Sequence, residues 1–301
     1  MNEKAKSSVM ACFVADSLAL GVHWIYDTEV IARTYGRVDA LMKPAPNSFH
    51  PTKEKGTFTH YGDQMMVLLE SLADMRGFDL NDFSARWQAL FANYDGYIDQ
   101  ATRGTLDRYR QGRSTEEGGS ASDDLAGASR MAPLVYGYRN DLEKLVDAAR
   151  AQTRMTHNNP ITIDSSEFFA RVAWLSFQEM PPHEAMERVC EKHFRDTVIS
   201  HWVAEGLKSK GKDSVSVISQ FGQSCHAPSA LPGVVHLIAT YEDDLKEALI
   251  QSAMAGGDGA ARGMMAGMVL GAYLGPESLP EQWISGLKKR DRILQLIEEI
   301  P

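Results

Sequence analysis

The 301-residue chain lacks positive charge: 31 basic residues against 40 acidic ones leave a net charge of −9 at neutral pH. That balance repels nucleic-acid backbones and anionic lipid surfaces, and no local basic patch offsets it, so neither is an expected partner. Cysteine is scarce as well. Cys12, Cys190 and Cys225 are odd in number and show no CxxC spacing, which argues against a disulfide framework and predicts reduced thiols in a cytoplasmic protein. No Pro/Ser/Gly-rich tract or charge run divides the chain, so one domain is expected over residues 1–301. Nor does any apolar run reach the length of a membrane span. The stretch Val9–Ala15 after Lys4 and Lys6 resembles a signal peptide, but Asp16 interrupts it, and it continues through Leu18, Leu20, Val22 and Trp24 as a buried first helix.

Strand alternation and fixed-period repeats are missing too, and helical periodicity stands in their place. Met65, Leu68, Leu69 and Leu72 form an i, i+3, i+4, i+7 stripe, and similar stripes run through Phe168, Val172 and Leu175, through Leu245, Ala248 and Leu249, and through Ile293, Leu294 and Ile297. Helix starts are expected at Asn81 or Asp82, at Asp164 and at Asp213. The polar stretches 43–64, 111–124 and 154–165 read as loops between helices, where an all-α protein would carry its binding groups.

The chemistry gathers around Gly256-Gly257-Asp258. Two glycines permit a tight turn and a close backbone approach, and Asp258 then stands at a helix N-terminus, where a carboxylate suits the dipole. Gly263, Gly267, Gly271 and Gly275 follow at intervals of four and line one face, which predicts close packing against a neighbouring helix. Ionisable or small residues recur at Asp16 with His23, at Thr59-His60-Tyr61-Gly62-Asp63-Gln64, at Gly118-Gly119-Ser120-Ala121-Ser122-Asp123-Asp124, and at Thr156-His157. The Gly118–Ser122 segment supplies N–H donors ahead of a helix and is a candidate phosphate cradle, although Asp123 and Asp124 add negative charge there.

Taken together, Ala15-Asp16-Ser17-Leu18-Ala19 with Val22-His23-Trp24, Tyr61-Gly62-Asp63-Gln64, Tyr97-Ile98-Asp99-Gln100-Ala101-Thr102, Gly119 through Pro133, Thr156-His157 and Gly256-Gly257-Asp258 resemble the ADP-ribosylglycohydrolase family, in particular the branch that includes the J-type crystallins. The resemblance covers nearly the whole chain in one order. It implies a compact, single-domain orthogonal helix bundle with a central cleft, in which ADP-ribose is bound and its ribosyl bond to an acceptor is hydrolysed with the help of two magnesium ions. In the family pattern the metals are held by a Thr-Asp-Asp motif and by Gly-Gly-Asp-Thr-Asp-Thr. Here the first corresponds to His60-Tyr61-Gly62, with Asp63 in the next position, and in the second only Asp258 survives, followed by Gly259, Ala260 and Ala261. His23 stands where many members carry a glutamate.

The resemblance thus implies catalytic and metal-binding roles for Asp63 and Asp258, and substrate contacts from Asp16, His23, Gly119, Ser120, Ala121, Ser122, His157, Gly256 and Gly257. Magnesium requires several oxygen ligands, so two surviving carboxylates predict at most a single weakly held ion in place of a two-metal centre. A mixed site of His23, His60, Asp63 and Asp258 for zinc, manganese or iron is the alternative. The expected function is hydrolysis of the ribosyl bond of ADP-ribosylated or related substrates with weakened or altered metal use. The alternatives are a non-catalytic ADP-ribose or nucleotide-sugar-binding protein and a crystallin-like structural protein.

Overall fold

The glycine stripe sets the centre of the molecule. In the computed structural model, which describes residues 2–301, the helix Gly259–Leu274 is buried over Gly259–Ala272 and packs along the first helix, Asn2–Ala19. A Cβ at Gly267 would lie 3.0 Å from the Ala11 carbonyl oxygen, and one at Gly271 would lie 2.8 Å from that of Ser7. Only glycine lets the two backbones come so close. Polar side chains then bridge the helices: Ser8 Oγ donates to the Met268 carbonyl at 2.8 Å and Cys12 Sγ to that of Met264 at 3.0 Å. Gly275, the fourth in the series, has a φ of +85° and ends the helix.

Around this pair lie the helices Leu245–Met254, Pro160–Phe177 and Ala227–Thr240. The fold is all-α: no strand occurs among the described residues, and one hydrophobic cluster runs from Ala5 to Ile300. The stripes predicted from periodicity all fall on helices, at His60–Asp74, Pro160–Phe177, Leu245–Met254 and Arg290–Glu299. Among these helices described here, none is long and apolar enough to cross a membrane.

Helix starts follow local capping chemistry more closely than the apolar stripes suggest. Asp213 caps Ser214–Phe221 as expected, its carboxylate accepting from Ser216 N–H. Asp79, rather than Asn81 or Asp82, caps Leu80–Ala92, because its side chain accepts from both Asn81 and Asp82 N–H groups. Asp164 lies inside Pro160–Phe177, whose cap is Asn159 and whose first residue, Pro160, needs no N–H partner. The expected loop 154–165 therefore shrinks to a short connection around His157, Asn158 and Asn159.

Gly267→Val should lower the unfolding free energy by about 1–3 kcal/mol through overpacking against the first helix. Gly233→Ala should not, since a Cβ there meets its nearest neighbour, Arg262 Cδ, at 3.5 Å. Urea denaturation of the two variants measures the difference.

Candidate functional site

The site is assembled by backbone hydrogen bonds among segments distant in sequence. Gly256 and Gly257 adopt φ values of +68° and +61°. A Cβ on Gly256 would sit 2.6 Å from the Ile25 carbonyl oxygen, and one on Gly257 would sit 2.2 Å from that of Gln223. The turn is stitched to Trp24 and Ile25: Trp24 N–H donates to the Gly257 carbonyl at 2.8 Å, and Gly257 N–H donates to that of Ile25 at 2.9 Å. Asp258 N–H then donates to the Gln223 carbonyl at 2.9 Å. Two residues along the same segment, the Cys225 carbonyl accepts Leu125 N–H at 2.8 Å, and Ala227 N–H donates to the Asp123 carbonyl at 2.9 Å. The Gln223–Ala227 segment thereby joins the two acid-bearing turns. The Cys225 Sγ and a carboxylate oxygen from each of Asp124 and Asp258 lie within 4.8 Å of one another.

In front of this group opens a cleft of about 330 Å³. Trp24, Tyr26, Phe49 and Tyr97 form aromatic walls, while Asp99, Ser122, Asp124 and Cys225 bring polar atoms to its surface. The rings of Trp24, Phe49 and Tyr97 meet nearly at right angles, with centroids 4.9, 5.0 and 5.5 Å apart. Trp24 has a φ of +64°, a strained conformation for a bulky residue that its hydrogen bond to Gly257 helps to hold.

The two carboxylates on the cleft wall have opposite electrostatic surroundings. Burial pushes the Asp124 carboxyl up to about 7, and the charge of Asp258 adds to the rise, against the hydrogen bond it accepts from Ala126 N–H. Burial would raise Asp99 too, but His60, whose Nε2 stands 3.0 Å from Asp99 Oδ2, and the N–H of Thr102 hold it below the ordinary carboxylate range. Asp258 is raised by burial, against its cap bond from Ala261 N–H, the field of Arg262 and a 3.2 Å bond from the Tyr61 hydroxyl. Opposite shifts in neighbouring acids are the pattern of an acid and base pair.

Of the residues singled out in the sequence, Asp258 and Ser122 belong to this assembly and His23 stands behind it, its Nδ1 3.8 Å from Asp258 Oδ1. Asp63 does not. Its Oδ2 is engaged by Lys53 Nζ and by the Tyr94 hydroxyl, and it lines neither the cleft nor the Asp124–Cys225–Asp258 group. Asp16 is fully buried and accepts from both the N–H and the hydroxyl of Thr59, which fixes the start of the His60–Asp74 helix. Gly256 and Gly257 spend their conformational freedom on protein contacts rather than on a ligand. The Gly118–Ser122 cradle is likewise turned inward: Gly119 abuts the Arg154 carbonyl, and Ser120 N–H and Oγ both donate to the Thr156 carbonyl. Ala121 is exposed outside the cleft, and His157 is buried with Nδ1 2.9 Å from Thr156 Oγ1.

Several site residues carried no signal as such in the sequence. Asp99 sits within a motif that gives it no role, Asp124 is an added negative charge beside the glycine-rich loop, Cys225 is one of three scattered thiols, and Phe49 lies in a polar stretch. The family model described as ADP-ribosylglycohydrolase matches residues 1–301. The chain belongs to the ADP-ribosylglycohydrolase family. It is 23% identical to Crystallin J1A of Tripedalia cystophora, over 99% of this chain and 96% of that protein. It is 24% identical to the ADP-ribosyl-[dinitrogen reductase] glycohydrolase of Rhodospirillum rubrum, over 95% of this chain and 91% of that one. A solved structure titled ADP-ribosylglycohydrolase-related protein complex superposes with a TM-score of 0.80 at 23% identity, covering 99% of this chain and 97% of its own, and shares its fold.

The donors of this family member do not fit a two-magnesium centre. Magnesium takes six oxygens in near-octahedral array, whereas the assembled group offers two carboxylates and a thiol. Asp63 stands outside the group, so the expected Asp63–Asp258 ion has no common site. The mixed His23–His60–Asp63–Asp258 site is not assembled either, because His60 turns to Asp99 and Asp63 to Lys53.

Behind the aromatic wall, His23, His50 and His60 pack together with ring centroids 5.2, 5.7 and 6.3 Å apart. Burial, followed by the charges of His60 and Lys53, lowers His50 to about 3. A depressed histidine contributes stability that is present above its unfolded value of about 6.5 and is lost as pH falls towards the folded value. Acidification from pH 7 to pH 4 should therefore destabilise the wild type more than His50→Gln. Urea melts at both pH values should show the variant's smaller loss, and equal losses would remove His50 as a cause.

Proposed function

We propose that this protein is a hydrolase of the ribosyl bond in ADP-ribosylated or related ribosyl substrates, working through carboxylates and not through a magnesium pair. The observation that carries the reading is that Asp124 and Asp99 line one cleft with carboxyls pushed in opposite directions. Departure of a group from the anomeric carbon passes through an oxocarbenium-like state, which needs a proton for the leaving atom and a base for the attacking water. Asp124, held protonated by its burial and by Asp258 behind it, donates to the leaving nitrogen or oxygen as the C1–X bond breaks. Asp99, held ionised by His60 and the Thr102 N–H, accepts a proton from water as the C1–O bond forms. The products are the free ribosyl hydroxyl compound and the protonated acceptor.

In this scheme Asp258 is a positioning residue: its charge keeps the proton on Asp124, and its cap bond to Ala261 N–H fixes its place. Cys12, Cys190 and Cys225 are all free thiols, in keeping with a cytoplasmic setting. The likeness to Crystallin J1A supports a second reading, in which the scaffold binds a nucleotide sugar without turnover or serves a structural role.

Asp124→Asn and Asp99→Asn should each lower kcat/KM by about 10²-fold or more, while Asp63→Asn should stay within a few-fold of wild type. The wild-type rate should fall as pH rises through about 7, where Asp124 loses its proton. Release of ribosyl product from ADP-ribosylated peptides and small ribosyl conjugates is the assay. Binding with no release from any of them would favour the second reading.

A further inference from the structure

We propose that the cleft selects a ribosyl group carried on a positively charged nitrogen and has no subsite for a pyrophosphate. The inference rests on the hydrolase reading only for the ribosyl moiety, and it narrows the substrate class within it.

Phosphate oxygens need cationic side chains or free backbone N–H groups. No lysine or arginine side chain lines the cleft among the described residues. Its one imidazole, His226, is engaged through Nδ1 by Asp123 Oδ1 at 2.5 Å. In the glycine-rich loop beside it, three donors are committed to the protein: Gly118 N–H donates to the Ser114 carbonyl at 2.8 Å, Ser120 N–H to that of Thr156 at 3.0 Å, and Asp124 N–H to Ser122 Oγ at 3.2 Å. A cavity of about 330 Å³ also lies at the low end of the range for small-molecule sites.

What the cleft does offer suits a cation. Trp24, Phe49 and Tyr97 meet nearly at right angles, so aromatic surface approaches a ligand from more than one side. The negative faces of such rings attract a positive charge, most strongly where water is excluded. Asp99, which lines the same cleft, carries a carboxylate that contacts His60 and the Thr102 N–H. Behind the protonated Asp124, Asp258 deepens the negative potential. A phosphate would find no lysine or arginine here and would face the Asp99 carboxylate, whereas an N-ribosyl cation would meet both attractive elements. As the bond breaks, the positive charge passes from the nitrogen to the ribose ring, where the same field favours it; such a nitrogen leaves neutral and takes no proton from Asp124, while Asp99 still accepts the proton of the attacking water.

Calorimetry on the full chain with nicotinamide riboside as a ribosyl pyridinium cation, uridine as a neutral nucleoside, and ADP-ribose tests this, with product formation followed in parallel. The cation should bind about tenfold or more tightly than uridine, and ADP-ribose should bind no more tightly than uridine. Asp99→Asn, which keeps a side-chain oxygen able to cap Thr102 N–H, should abolish the preference for the cation. Phe49→Ala, a change at a half-exposed residue that leaves the core intact, should weaken the cation more than uridine. ADP-ribose binding most tightly, equal affinity for cation and neutral nucleoside, or no binding of any of the three would overturn the inference. If the cation binds selectively but is never cleaved, the inference stands and the hydrolase reading falls. If ADP-ribosylated peptides are cleaved and ADP-ribose binds most tightly, the reverse holds.

Discussion

Two backbone hydrogen bonds from one short segment hold the cleft together. The Gln223 carbonyl accepts Asp258 N–H and the Cys225 carbonyl accepts Leu125 N–H, so two acid-bearing turns distant in sequence are fixed against a common strip of backbone. Buried backbone groups must be paired, and here that requirement also positions the chemistry. Gln223 strengthens the junction with its side chain, whose Nε2 donates to the Tyr26 and Ala255 carbonyls at 2.8 Å each. The twin glycines are indispensable for the same reason: any Cβ at Gly257 would collide with the Gln223 backbone.

The buried acids this arrangement creates are costly unless charge is shared out among them. The chain meets the cost unevenly. Asp16 gains two hydrogen bonds from Thr59, Asp63 gains Lys53 and Tyr94, and Asp99 gains His60 and a helix N–H. Asp124 and Asp258 lie close together, and burial with that proximity keeps a proton in the site. Arg262, buried nearby, contributes its field to Asp258 but directs its guanidinium to the Ser252 and Gly256 carbonyls. It braces the glycine turn from within.

Much of the fold was legible in the sequence because it rests on local periodicity and small-residue spacing. The glycines at 263, 267 and 271 announced a close helix contact, and the apolar stripes marked four core helices. The family followed from the order of short motifs along the chain. The site was legible only in part. Asp258 and Ser122 stand out in the sequence, yet the pairing of Asp258 with Asp63 that the motifs suggest is not the one the fold assembles, because nothing in the motif reveals that Lys53 and Tyr94 converge on Asp63. The Gln223–Ala227 segment has no side-chain signature, since it acts through its carbonyl and N–H groups. Asp99 and Asp124 acquire their roles from tertiary neighbours, His60 and Asp258, which no spacing rule brings together.

The central claim is that the fold drives Asp99 and Asp124 apart in proton affinity, with burial and then the charge of Asp258 raising Asp124. Carbon-detected NMR titration of the side-chain carboxyls measures this directly. The account predicts that Asp99 titrates below the ordinary carboxylate range, that Asp124 titrates near 7, and that Asp258→Asn draws Asp124 back towards the ordinary range. Asp99 and Asp124 titrating together near the usual value of about 4, with no response to Asp258→Asn, would contradict it.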